Sequence, residues 1–242
     1  MAESTGIVKR DFTHGKTAYA FQWNRENHER IGNKSGDSAS LWAHLTQVLR
    51  GELPEQVFSS PLYSRASGLR LCEMKPAAKT ALRNRLMKAH AVLADVESDL
   101  VQHLREYHRV RNELNYSADH SILREFLYRD PNTIAIEVPV WSERYHISGH
   151  IDLLRLVDGQ VQVCEYKPGP MTTLKERFLG ALPQASAYGE MMTHHLASTL
   201  RSALDAPLLP SVRCCVFDTH SSWHFNSDLF VKLEAMGKIE GI

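Results

Sequence analysis

Asp152, Glu165 and Lys167 are the residues of this chain whose types and spacing could do chemistry. Between the first two lies Asp158-Gly159, a dipeptide suited to a two-residue hairpin turn and flanked by runs of apolar and β-branched residues. With Val157 facing Gln160 across that turn, counting back along the ladder sets Asp152 opposite Glu165, their β-carbons about 5 Å apart. Lys167, two residues on, points to the same side, and His150 lies opposite it. The rest of that face is Leu154 and Leu156 opposite Val163 and Val161, apolar near the turn and charged at the open end. Two facing carboxylates repel unless one holds a proton or a cation sits between them. Mg²⁺ or Mn²⁺ resolves this, and Mg²⁺ keeps several waters on few carboxylates, which suits phosphate chemistry. A bound metal ion can supply hydroxide and polarise a phosphoryl oxygen, while a neighbouring lysine orients the water and offsets developing charge. The same residues on a surface hairpin would make an exposed ion-pair cluster of little energetic weight. Geometry alone leaves both readings open.

The elements that must position these residues are legible in outline. Residues 1 to about 35 are polar and uneven, an expected arm or irregular lead-in, and Ser38 to Arg50 reads as a helix stopped by Gly51 and Pro54. From Pro76 to Leu114 apolar residues recur at steps of three and four (Leu82, Leu86, Ala89, Leu93, Val96, Leu100, Tyr107, Val110, Leu114), which predicts one long amphipathic helix with His103 on its core-facing stripe. A shorter helix is expected over Asp119–Tyr128. Thr133–Trp141, Tyr145–Val157 and Gln160–Tyr166 read as strands. A helix from about Thr172 to Leu204, interrupted near Pro183, precedes strands at Val212–Asp218 and Trp223–Phe225 and a short final helix. The expected fold is α/β (α+β): a mixed central sheet flanked by helices, with residues 1–75 a helical N-terminal part and 76–242 the domain that carries the site.

Composition narrows the function classes. Lys plus Arg and Asp plus Glu both total 28, so the chain does not coat nucleic acid by bulk charge, although a local basic groove is compatible with that balance. The basic run from Arg65 to Lys88 reads as a solvated helix face. No apolar run approaches a membrane span, and the first sixteen residues lack a secretory signal's apolar stretch, so a cytoplasmic protein without membrane contact is expected. Cys72, Cys164, Cys214 and Cys215 show no CxxC spacing and are expected to be reduced thiols, with neither zinc nor an iron–sulfur cluster. His194 and His195, adjacent on a helix, diverge by about 100° and do not chelate together.

Gly149-His150-Ile151-Asp152, then Cys164-Glu165-Tyr166-Lys167-Pro168-Gly169, then Gln184-Ala185-Ser186-Ala187-Tyr188 together resemble the PD-(D/E)XK nucleases. They are most similar to the RecB-type exonuclease branch, whose pattern is Gly-x-x-Asp, Asp/Glu-x-Lys and Gln-x-x-x-Tyr. The likeness covers roughly residues 100 to 225 and implies a restriction-endonuclease-like core. It further implies that Asp152 and Glu165 ligate the metal, with the Tyr166 carbonyl as a further ligand, and that Lys167 positions water. Gln184 and Tyr188 would line the site. Many members add a histidine from an upstream helix, and His103 is the expected one, with Glu137 the rival if the turn after Trp141 holds an even number of residues. His150 is expected at the rim, contacting substrate. The cysteines depart from the four-cysteine cluster of the CRISPR-associated adaptation nuclease, which puts membership of that branch in doubt.

The resulting expectation is a divalent-metal-dependent deoxyribonuclease acting as an exonuclease on single-stranded or frayed ends. The alternatives are an endonuclease of the same fold, or a catalytically silent nucleic-acid-binding subunit of a larger complex. In any of these the N-terminal region and long helix could dock a protein partner or a second copy.

Overall fold

The computed structural model describes residues 6–32, 37–111, 120–168, 174–201 and 212–242. The chain opens on a hairpin, β1 (Ile7–His14) and β2 (Thr17–Asn24), followed by α1 (Arg25–Ile31), whose Asn24 cap accepts the Asn27 N–H at 3.0 Å. Next come α2 (Asp37–Arg50), ended by Gly51 at φ +75°, α3 (Glu55–Ser59), and two short strands, β3 (Ser64–Arg65) and β4 (Arg70–Leu71). Then follow α4 (Pro76–Lys88), β5 (Val92–Asp95), α5 (Asp99–Val110) and α6 (Leu123–Arg129). The strands β6 (Thr133–Ser142), β7 (Ile147–Val157) and β8 (Gln160–Tyr166) form a meander. The chain ends with α7 (Leu174–Arg201), β9 (Arg213–Phe217), β10 (Ser222–Asn226), α8 (Leu229–Ala235) and β11 (Ile239–Glu240).

One mixed sheet runs β1-β2-β6-β7-β8-β9-β10-β5, with β3 added in parallel to the start of β7. Neighbours along the main path are antiparallel except β8 and β9, which α7 connects as a parallel crossover. One face packs Leu41, Leu45 and Val48 of α2 and Tyr188, Met191 and Leu196 of α7 onto Leu154, Leu156, Val161 and Val163. The opposite face packs α5 and α6, through Leu100, Leu104, Phe126 and Leu127, onto Ile136, Leu153, Cys164 and Phe217. Cys214 and Cys215 accordingly fall in different apolar clusters on either side of β9. The sheet is thus flanked by helices on both faces. Among the described residues no helix is long and apolar enough to cross a membrane.

Three expectations about the elements fail. Most of the lead-in over residues 1–35 is the β1–β2 hairpin and α1, and β2 pairs with β6, so the sheet draws strands from both sides of residue 75. Over residues 76–110 the expected long helix is two helices separated by β5, and its last residues, 112–114, lie outside the described residues. His90 at φ +52° breaks the helical run, residues 92–95 pair with β10, and Ser98 starts a new helix by accepting the Val101 N–H. Leu93 and Val96, which continued the apolar stripe, are exposed. Helix α7 passes through Pro183 uninterrupted, because Leu179 and Leu182 before the proline and Ala185, Tyr188 and Met191 after it are all buried. That burial outweighs the one backbone bond a proline forfeits.

A buried ion cluster ties the α5/α6 side to the meander. Arg155 on β7 is 1% exposed; it donates to Asp130 at 2.9 Å and to Gln162 at 3.1 Å, and it pairs with Asp99 at the start of α5. Asp130, fully buried, also accepts Thr133 Oγ1 at 2.7 Å. Replacing Arg155 with Leu strands the Asp130 charge, and urea denaturation is expected to show a loss of about 3–5 kcal/mol. An unchanged midpoint would mean the cluster does not hold the layers together.

Candidate active site

The hairpin that carries the acids forms as the turn chemistry predicts. Asp158 at φ +49° and Gly159 at φ +78° make the tight turn, and pairing runs from Val157–Gln160 to Leu153–Cys164. At the next step, where Asp152 faces Glu165, the ladder stops. The N–H of Tyr166 donates instead to the Asp152 carboxylate, 2.8 Å away, while β8 carries on alongside β9 through Glu165 and Tyr166. The parting of β7 from β8 opens a cleft of about 410 Å³ lined by Glu137, Gly149, His150, Asp152, Glu165, Tyr166, Lys167, Gln184 and Tyr188, among others.

Hydrogen bonds within the cleft link the end of β8 to α7. Lys167 Nζ donates to Glu165 Oε1 at 2.6 Å and to Gln184 Oε1 at 3.1 Å, and Gln184 Nε2 donates to the Tyr188 hydroxyl at 3.1 Å. The four-residue spacing of Gln184 and Tyr188 puts both on the turn of α7 that faces the strand ends. Gly149 leaves room for this arrangement, since a β-carbon there would lie 2.5 Å from Tyr188 Cε1.

The carboxylates are buried and crowded. Glu165 is 2% exposed, and burial together with the Asp152 charge pushes its carboxyl up to about 8, against the opposing pull of Lys167. Its Oε2 is buried with no hydrogen-bond partner among the described residues. Glu137 is pushed up to about 7 by burial and by Asp152. It lies across from Asp152, between the paired residues Ile136–Leu153 and Val138–Ile151, because the turn of residues 143–146 has even length. It also sits at φ +53°, a strained backbone for a non-glycine residue.

The histidine at the acids is not the expected one. His103 stacks on Tyr107 and meets the edge of Phe126, and it does not line the cleft. The steps of three and four that selected it belong to a helix that packs elsewhere on the sheet. His120, in the short turn before α6, puts Nε2 3.5 Å from Asp152 Oδ2, and that contact raises its pKa despite partial burial. No spacing rule marks His120 among the thirteen histidines. His150 lines the cleft but is buried rather than at the rim, stacked on Tyr19 at 3.5 Å and bonded to His14 Nδ1 at 2.9 Å. Burial and the neighbouring His14 and Arg65 push it down to about 2. His194 and His195 do diverge: the first meets Glu190 at 3.0 Å, and the second accepts the Trp141 N–H.

These residues suit a small hard cation. Asp152 and Glu165 offer oxygen ligands, the orphaned Glu165 Oε2 lacks only a positive partner, and the Tyr166 carbonyl belongs to the same strand end. Among the described residues no three His, Cys, Asp or Glu side chains are gathered into a ready-made cage. Mg²⁺ does not need one, since it binds through one or two carboxylates and keeps its waters. Comparison with family models, characterised proteins and solved structures finds no match to this chain.

Two outcomes follow from this crowding. Gly149→Ala drives a methyl into Tyr188 and is expected to cost about 1–3 kcal/mol in urea denaturation, a loss relieved when Tyr188 is also made Ala; a neutral Gly149→Ala would refute the contact. In EDTA, the folded state holds the Glu165 proton that the unfolded chain releases. Stability therefore falls as pH rises from the ordinary value of 4.5 towards about 8. Glu137 and His120 act in the same direction. Glu165→Gln should flatten the slope measured by denaturation across that range, and an unaltered slope would place the linked protons elsewhere.

Proposed function

We propose that this chain is a divalent-metal-dependent nuclease that hydrolyses DNA phosphodiester bonds, with a restriction-endonuclease-like core of the PD-(D/E)XK type. The observation that carries the reading is the contact chain Glu165–Lys167–Gln184–Tyr188, set beside Asp152 with one buried Glu165 oxygen left without a partner among the described residues. A structural module has no use for a buried Glu165 whose proton affinity a second buried carboxylate, Asp152, raises, and burying such charges costs free energy without return. The motif order, Gly149 to Asp152, Glu165 to Lys167, then Gln184 to Tyr188, is similar to that of RecB-type exonucleases. On that analogy the substrate is DNA with single-stranded or frayed ends.

Asp152 and Glu165 would hold Mg²⁺ or Mn²⁺, with the Tyr166 carbonyl, and the ion would supply an activated water and neutralise phosphate charge. The residues do the rest. Asp152 is fixed by the Tyr166 N–H, so its carboxylate is aimed before any ligand arrives. Lys167 is held by Glu165 on one side and Gln184 on the other, which pins a flexible ammonium where an attacking water and a phosphate oxygen would meet. Gln184 is oriented in turn by Tyr188, so its amide oxygen faces the lysine.

Degradation of labelled linear DNA should require Mg²⁺ or Mn²⁺, stop in EDTA, and fall at least about 100-fold in Lys167→Ala, the scale of losing one charge-stabilising donor. A folded protein that cuts no nucleic acid under either metal would overturn the reading.

A further inference from the structure

The cleft does not end at the acids. A second cavity of about 370 Å³ lies beside it, lined by Gln22, Ser121, Arg124, Ile136 and others, and the two share Tyr19, His120 and Glu137. The sheet builds this neck: β2 pairs with β6, which brings Tyr19 on the N-terminal hairpin beside Glu137 and His150. One ring of the neck is prepared for stacking. Tyr19 lies against His150 with planes 10° apart and borders both cavities. Beside it, Arg65 holds its guanidinium 5.6 Å from the Tyr19 ring centre, donating to the Tyr19 hydroxyl and to Thr17 Oγ1 at 3.5 Å. Arg124 stands exposed in the wall of the second cavity. Neither arginine pairs with a carboxylate among the described residues, although the chain carries as many acids as bases.

Resting on the nuclease reading above, we propose that the two cavities form one groove for a single-stranded nucleic acid. Tyr19 is the base-stacking platform at the junction, and Arg65 and Arg124 grip backbone phosphates on either side of it. Each cavity has the size of a small-ligand site, room for about one nucleotide. Asp152 and Glu165 lie too deep to meet the phosphates of a rigid duplex, being 8% and 2% exposed. A single strand can bend inward and splay its bases onto an aromatic ring, with phosphates on cations beside it. The N-terminal hairpin is therefore the substrate-holding wall of the site.

The test is fluorescence anisotropy in EDTA, where cutting is not required, with labelled DNA and RNA single strands of about 12 nucleotides, within the span of one single-strand site, and a blunt duplex of equal length. Wild type should bind a single strand more tightly than the duplex, and the DNA and RNA arms identify the preferred sugar. Tyr19→Ala should weaken single-strand binding about 5- to 100-fold, while Tyr19→Phe keeps most of it. Arg124→Glu, at an exposed position that leaves the core intact, should weaken binding and reduce the salt slope by at least about 0.7, the share of one phosphate contact. Equal affinity for duplex and single strand, or wild-type affinity in both Tyr19→Ala and Arg124→Glu, would overturn the groove. A chain that binds as described but never cuts DNA would refute the nuclease reading and leave the groove standing. A chain that cuts DNA but binds without regard to Tyr19 and Arg124 would do the reverse.

Discussion

Strands β7 and β8 pair from their turn to Leu153–Cys164, and at the next step the Asp152 side chain takes the Tyr166 N–H that a main-chain carbonyl would otherwise accept. That exchange is what the rest of the site depends on. It satisfies the backbone group at the parting of two strands, so the sheet can open without stranding a buried donor. It also fixes one carboxylate at the mouth of the opening. Glu165, the next residue along β8, is held in place because that strand continues its ladder with β9, and Lys167 follows from the alternation of side chains. Helix α7, the crossover between β8 and β9, then lays Gln184 and Tyr188 over the gap.

The arrangement is expensive in the absence of a cation. Glu165 and Glu137 both hold their protons well above the ordinary carboxylate range because burial and Asp152 disfavour their charged forms. Lys167 offsets part of this for Glu165 through one oxygen only, and the His120 charge offsets part of it for both glutamates. Stability elsewhere supports the strain, through the apolar layers on both faces and the Arg155 cluster that anchors α5 to the meander. A site that stores unfavourable electrostatics in a cleft is the pattern expected where a ligand supplies the missing charge.

The hairpin register was legible because it follows from one turn dipeptide and strict alternation, and the structure keeps that register from Val157–Gln160 to Leu153–Cys164. The pairing of Gln184 with Tyr188 was legible for a similar reason, helical spacing. The sheet flanked by helices could also be read from the change of texture after Pro131. What depended on partners distant in sequence was not legible. Residues 92–95 carry an apolar spacing that fits a helix, and only β10 makes them a strand. The N-terminal hairpin looked polar and uneven because β1 is an edge strand, partly exposed along its length. His103 stands out in the sequence and His120 does not, because periodicity reports which face of a helix is buried and says nothing about which histidine lies near the acids.

In the proposed reading, Asp152 and Glu165 form a cation site whose charge is incomplete without the ion. Isothermal titration calorimetry with Mn²⁺ near neutral pH, run in buffers of different ionisation enthalpy, tests it directly. Saturable binding that releases a proton is expected, because the Glu165 carboxyl, up at about 8, must ionise to take a ligand role. Binding should disappear in both Asp152→Asn and Glu165→Gln. Mn²⁺ affinity equal in wild type and both variants, or no binding to a folded wild-type chain, would contradict it.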